Sequence, residues 1–158
     1  EGEGEGEGAS HVEVSRLLQL LQVAKGKRMV ARALPLMDAG QQAAFLPVAM
    51  RHLLFFVCSA QPSEEADAAD AALSKALADA LGACASTQVL VRSLRALLDS
   101  QTPHTLPAVL QFKPSSDVIE ALLTKGQDEC TAAGGAVLQE WMDVFGALHA
   151  MAAASRQA

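Results

Sequence analysis

Four basic side chains, Lys25, Lys27, Arg28 and Arg32, fall within eight residues, and only Glu13 and Asp38 lie near them in the chain. On a helix that starts near Lys25, residues Lys25, Arg28 and Arg32 stand at i, i+3 and i+7 and share one face. Val30, Ala33, Leu34 and Met37 form an apolar stripe of opposite character. Arg51 and His52 can add to the basic patch from the next helix. Surfaces built only for solubility usually mix signs, whereas an unscreened basic face attracts phosphates or acidic peptide segments. The same spacing also describes an ordinary solvated helix face, and both readings stay open at this point. No aromatic residues of the kind that stack single-stranded bases interleave with the cluster, so base-specific reading is not expected.

Catalytic groupings are scarce by comparison. The glycines sit in an N-terminal Glu-Gly tract or singly at helix ends, and none builds a phosphate-binding loop. No HExxH, CxxC or carboxylate-rich loop offers metal-ligand spacing. His52 and Cys58 are six residues apart, about 240° round a helix axis, and do not face each other. Cys58, Cys84 and Cys130 read as small core fillers and as reduced thiols of a cytoplasmic or nuclear protein. His149 reads as a half-exposed helix residue, and Trp141, Met142 and Phe145 as core. The expectation is a protein that is not an enzyme, with no catalytic residue, no metal, no cofactor and no small-molecule substrate.

The elements that must carry the basic cluster are helices. Of 158 residues, 31 are alanine and 22 leucine, while isoleucine occurs once and tyrosine never. Such a composition favours helix over strand. With 51% hydrophobic residues the chain can build a sizeable core. No run approaches the roughly 18 apolar residues of a membrane span, so no membrane association is expected. The net charge of −6 is unevenly placed: −4 over residues 1–10, +4 over 11–58, −4 over 59–91 and −2 over 92–158. An acidic protein thus carries a basic first third. Residues 1–10 read as a disordered Glu-Gly linker and 11–158 as one helical domain. The chain, starting at Glu1, reads as a piece of something longer.

Val14, Leu17, Leu18 and Leu21 give a first helical stripe, and the Val30 stripe follows after a break at Lys25–Arg28. Leu46, Ala49, Met50, Leu53 and Val57 give a third. Pro35 and Pro47 should end or kink their helices. A fourth helix opens on Glu64, Glu65, Asp67 and Asp70 and stops at Gly82. Ser86 or Thr87 caps a fifth through Leu98. Ser100 to Pro107 reads as a loop, Pro114–Asp117 as the start of a sixth helix, and Gly134-Gly135 as the break before a seventh. The expected fold is all-α: antiparallel helix pairs in a HEAT-like α-α superhelix of about seven helices. A single bundle is the alternative. No clean sequence repeat is visible.

Two segments resemble a known family. Lys25-Gly26-Lys27-Arg28-Met29-Val30-Ala31-Arg32-Ala33-Leu34-Pro35-Leu36 is similar to the basic-then-leucine segment of the Pat family, the topoisomerase II-associated proteins that activate mRNA decapping. Val48-Ala49-Met50-Arg51-His52-Leu53-Leu54-Phe55-Phe56-Val57 is similar to that family's Arg-His-Leu helix, in the same order and at a matching gap. Ser116 to Gly126 and Leu138 to Phe145 resemble later stretches of the family. The likeness runs over roughly residues 12–152 and is closest in tone to the plant and green-algal branch. The chain departs from the pattern at Met50, where phenylalanine is common, and over Leu97 to Phe112. The family's domain is longer, and its first helices have no counterpart here, where the Glu-Gly tract stands instead.

The resemblance implies an α-α superhelix of the cytoplasm and processing bodies. It implies a C-terminal Pat-like domain that binds the Lsm ring, the leucine-rich motifs of the decapping enzyme, and RNA without sequence preference. On that reading Lys25, Lys27, Arg28, Arg32 and Arg51 are the RNA- or partner-binding residues, and His52 joins them through its place beside Arg51 in the basic patch. A HEAT-like protein scaffold unconnected with RNA is the alternative.

Overall fold

Capping side chains, first-turn prolines and a glycine stop account for several of the helix boundaries in the computed structural model, which describes residues 15–57 and 63–157. The elements are α1 (15–20), α2 (Ala24–Ala33), a 3-10 turn (Leu34–Leu36), α3 (Ala39–Arg51), α4 (Leu54–Val57), α5 (Glu64–Gly82), α6 (Thr87–Ser100), α7 (Leu106–Gln111), α8 (Lys113–Ala133) and α9 (Gly135–Gln157). Asp38 and Gln41 close a reciprocal capping box at the start of α3. Ser63 caps α5, whose first turn holds Glu64, Glu65 and Asp67, the sign that suits the helix dipole. Ser86 caps α6. Gly134 and Gly135 take φ values of 65° and 61° and separate α8 from α9, a backbone conformation that side-chain-bearing residues avoid.

The helices form two layers. In one, α2 packs on α5 and α5 on α8; in the other, α3 packs on α6 and α6 on α9. Each of these helices therefore meets the one three elements further on, and α2/α3, α5/α6 and α8/α9 follow one another along the chain as one first-layer and one second-layer helix per repeat. First-layer helices start at Ala24, Glu64 and Lys113, and second-layer helices at Ala39, Thr87 and Gly135. That spacing of about 40–50 residues is the one expected of two-helix repeats. The protein is all-α, helical-repeat-like, with no strand among the described residues. Val30, Leu34, Phe45, Leu46, Met50, Leu53, Leu73, Leu77, Leu90, Leu94, Leu122 and Trp141 form the core between the layers. Polar side chains tie the third repeat in: Ser74 Oγ donates to the Pro114 carbonyl at 2.9 Å, and Ser115 Oγ to the Val109 carbonyl at 2.7 Å.

Several local expectations need correction. Nine helices, not about seven, lie among the described residues. The Lys25–Arg28 segment is not a break but the first turn of α2. The third stripe is cut in two, because the backbone turns at His52–Leu53 before α4 begins. The expected loop from Ser100 to Pro107 ends early: residues 106–111 form the short helix α7 with Pro107 in its first turn, where proline's missing amide costs nothing. Pro47 sits inside α3, which continues to Arg51. On α9 the buried stripe is Trp141, Val144 and Leu148, while Met142 and Phe145 are exposed. His149 is exposed rather than half-exposed. Cys130 is buried and Cys84 half-buried; Cys58, Val14 and the Glu-Gly tract lie outside the described residues. No described helix is long and apolar enough to cross a membrane.

Candidate functional site

The six basic residues singled out in the sequence fall into three environments. Lys25 and Arg32 are exposed on α2, and neither makes an ion pair among the described residues. Met29, 51% exposed, and Leu36, 85% exposed, continue the same stripe at i, i+4, i+7 and i+11 from Lys25. The outer side of α2 is therefore mixed, basic and apolar. Arg28 is also exposed, but its Nη2 donates to Glu65 Oε1 at 2.7 Å across to the first turn of α5.

Lys27 does not belong to the face at all. It is 3% exposed, and its Nζ donates to Asp70 Oδ1 at 2.7 Å and to the Phe55 carbonyl at 2.9 Å. The ammonium also lies 5.9 Å from the Phe55 ring centre and 5.7 Å from that of Phe56, within the range of cation–π attraction. One side chain thus joins α2, α4 and α5. The expectation that Lys27 presents its charge to a ligand is corrected: Asp70, 43 residues away and itself 3% exposed, takes that charge up inside the protein. Burying an ammonium without such partners would be prohibitive.

Arg51 and His52 are exposed at the end of α3. They line an open groove of about 440 Å³ together with Leu18, Gln19, Gln22, Leu54 and Phe55. None of the basic side chains of α2 lines it, so the structure separates this pair from Lys25, Arg28 and Arg32. The groove has an apolar wall from α1 and α4, amides at one side and two basic groups at the rim. The entry of α1 into this wall is tight. A Cβ on Gly26 would overlap the carbonyl of Leu20, so glycine is required where α2 passes the end of α1.

The burial of Lys27 had a signal in the sequence: it precedes Val30 and Leu34 by three and seven residues, on the apolar stripe. Asp70 likewise sits beside Ala69 and ahead of Leu73 and Leu77 on the buried side of α5. Two opposite charges, each on an apolar stripe, are the mark of an internal pair. Among the described residues, no group of three or more His, Cys, Asp or Glu side chains is arranged to hold a metal ion.

Fold and surface together define a helical-repeat protein with a mixed basic and apolar surface on its first repeat. The chain matches no family model and no curated protein.

Proposed function

We propose that this protein is a non-enzymatic adaptor of cytoplasmic mRNA decay, promoting decapping by binding the Lsm ring, the decapping enzyme's leucine-rich motifs and RNA. Its likeness to the Pat family rests chiefly on two segments, and the observation that carries the reading is that these two segments meet. The first is α2 with its 3-10 turn, the second the end of α3 with α4, and Lys27 of the first donates to the Phe55 carbonyl of the second. Lys25, Arg32, Arg51 and His52 remain exposed for phosphate or acidic partners. Two-helix repeats offer extended surfaces of the kind such adaptors use.

The test is co-purification from cell lysate together with binding to single-stranded RNA over a salt series. Lsm and decapping proteins in the eluate, and RNA affinity that falls as salt rises, support the reading. The variant Lys25→Glu/Arg32→Glu/Arg51→Glu should lose RNA with little change in melting temperature. Unaltered binding of every partner by that variant sinks the basic-face mechanism.

A second reading, a protein scaffold unconnected with RNA, is favoured by the exposed Met29 and Leu36 between and beyond the charges. It predicts acidic protein partners, no salt-dependent RNA binding, and loss of those partners on Met29→Ser/Leu36→Ser.

A further inference from the structure

We propose that Lys27 is a positioning residue, which fixes the α4 wall of the Arg51–His52 groove through its bond to the Phe55 carbonyl and so governs what the groove binds without touching it. The proposal rests on the reading of that groove as an RNA contact.

The helix α4 is a single turn, Leu54–Val57, and comes directly after the turn at His52–Leu53. A helix this short cannot hold its own conformation, since one turn does not repay the entropy of nucleation. Its position must come from tertiary contacts. Some are apolar, through the buried rings of Phe55 and Phe56, which lie 4.5 Å apart. The directional one is Lys27, whose Nζ meets the Phe55 carbonyl at 2.9 Å while Asp70 holds the same ammonium at 2.7 Å. Apolar packing resists separation but tolerates sliding; a charge-assisted hydrogen bond to a backbone oxygen fixes register. Leu54 and Phe55 of α4 line the groove, and Arg51 and His52 sit at its rim just upstream. Moving α4 therefore moves the groove's apolar wall relative to its basic rim.

Three variants separate this role from stability and from direct contact. Lys27→Met leaves Asp70 buried without a partner and can fail to fold. The double variant Lys27→Met/Asp70→Leu replaces both charges with apolar groups, keeps the core filled and still lacks the bond to Phe55. The comparison variant is Arg51→Gln. Hydrogen exchange at the amides of Leu54–Val57 reads the wall, and fluorescence anisotropy with a single-stranded oligoadenylate RNA reads the groove.

In the double variant the α4 amides should exchange faster while those around Leu122 in α8 stay protected. RNA affinity should fall with an unchanged salt slope, because no phosphate contact is lost; Arg51→Gln should instead lower the slope by about 1. Wild-type protection at α4 in the double variant overturns the proposal. So does unchanged RNA affinity with a loosened α4, or a slope lowered by about 1, which would place Lys27 on a phosphate. If the wild-type protein binds no RNA, the RNA part of the proposed function fails, and the exchange data alone decide whether Lys27 positions the wall.

Discussion

The indole ring of Trp141 lies over the backbone of Gly126, so closely that a Cβ at that position would overlap the six-membered ring. The ring is fully buried, and its Nε1 donates to Gln127 Oε1 at 3.0 Å. This is how α9 seats on α8 at the end of the repeat array.

Gly126→Ala sets two effects against each other. Alanine in a helix interior gains up to about 1 kcal/mol over glycine. Overpacking against a rigid, buried ring costs typically about 1–3 kcal/mol, and an indole hydrogen-bonded to Gln127 cannot swing aside freely. The net result should be a lower melting temperature with a shifted tryptophan emission. A melting temperature raised by the substitution would show that α9 can slide on α8 at no cost.

The pair Lys27–Asp70 predicts a strongly non-additive cycle. Either single change, Lys27→Met or Asp70→Leu, strands a buried charge and should cost about 3–5 kcal/mol. The double change removes both charges from an environment where each side chain is 4% exposed, and should cost far less than the sum of the two. Urea unfolding of the four proteins measures the coupling. Additive losses would mean that the two charges do not depend on one another.

The contrast between these two contacts shows what the sequence discloses. Caps and stops were legible where Ser86, Gly82 and Gly134 act on their own neighbours. Periodicity gave the long helices and most of their buried faces. It could not give α7, which is too short to show a period, nor the partner of Lys27, which lies on another helix. The error about acids had the same origin: Glu65 and Asp70 are distant in the chain, yet the packing of α2 on α5 brings both to the basic segment. Of the candidate site, the exposure of Lys25, Arg32, Arg51 and His52 agrees with the expectation. Their division into an α2 face and a separate groove depends on the turn at His52–Leu53.

Leu53 stands at that turn and is completely buried. Leu53→Ala should destabilise the protein by roughly 2–5 kcal/mol through lost transfer energy and the cavity left behind. Denaturant titration decides it. A midpoint within error of wild type would mean that the α3–α4 corner is not part of the cooperative core.

Arg28 and Glu65 make a different kind of pair, with side chains 45% and 59% exposed. Solvent screening holds the contribution of such a bridge to about 0–1 kcal/mol. Glu65→Gln should therefore leave the melting temperature nearly unchanged. It also removes the carboxylate that neutralises Arg28, so RNA binding should tighten at low salt, with the gain disappearing as salt rises. Weaker RNA binding by this variant would place Glu65 itself at the contact.

The last prediction concerns Cys130, which is fully buried on α8. Burial disfavours its thiolate, and the nearby charges of Glu129 and then Glu140 disfavour it further, so the thiol is raised above its ordinary value of 9.0. Below that value the thiol is protonated in both the folded and unfolded chains, and the shift has no effect on stability. Above it the unfolded chain releases a proton that the folded one keeps. The folded state then binds more protons, and stability falls as pH rises towards the folded value. Melting temperatures of wild type and Cys130→Ala should therefore keep a constant difference below about pH 9 and converge above it, the wild type losing more, because alanine has no proton to release. In a Cys58→Ser background, a thiol reagent at about pH 8 should modify the half-buried Cys84 first and reach Cys130 only on unfolding. Parallel pH profiles for the two proteins, or rapid labelling of Cys130 in the folded state, would show that the thiol is open to water and that α8 and α9 do not close over it.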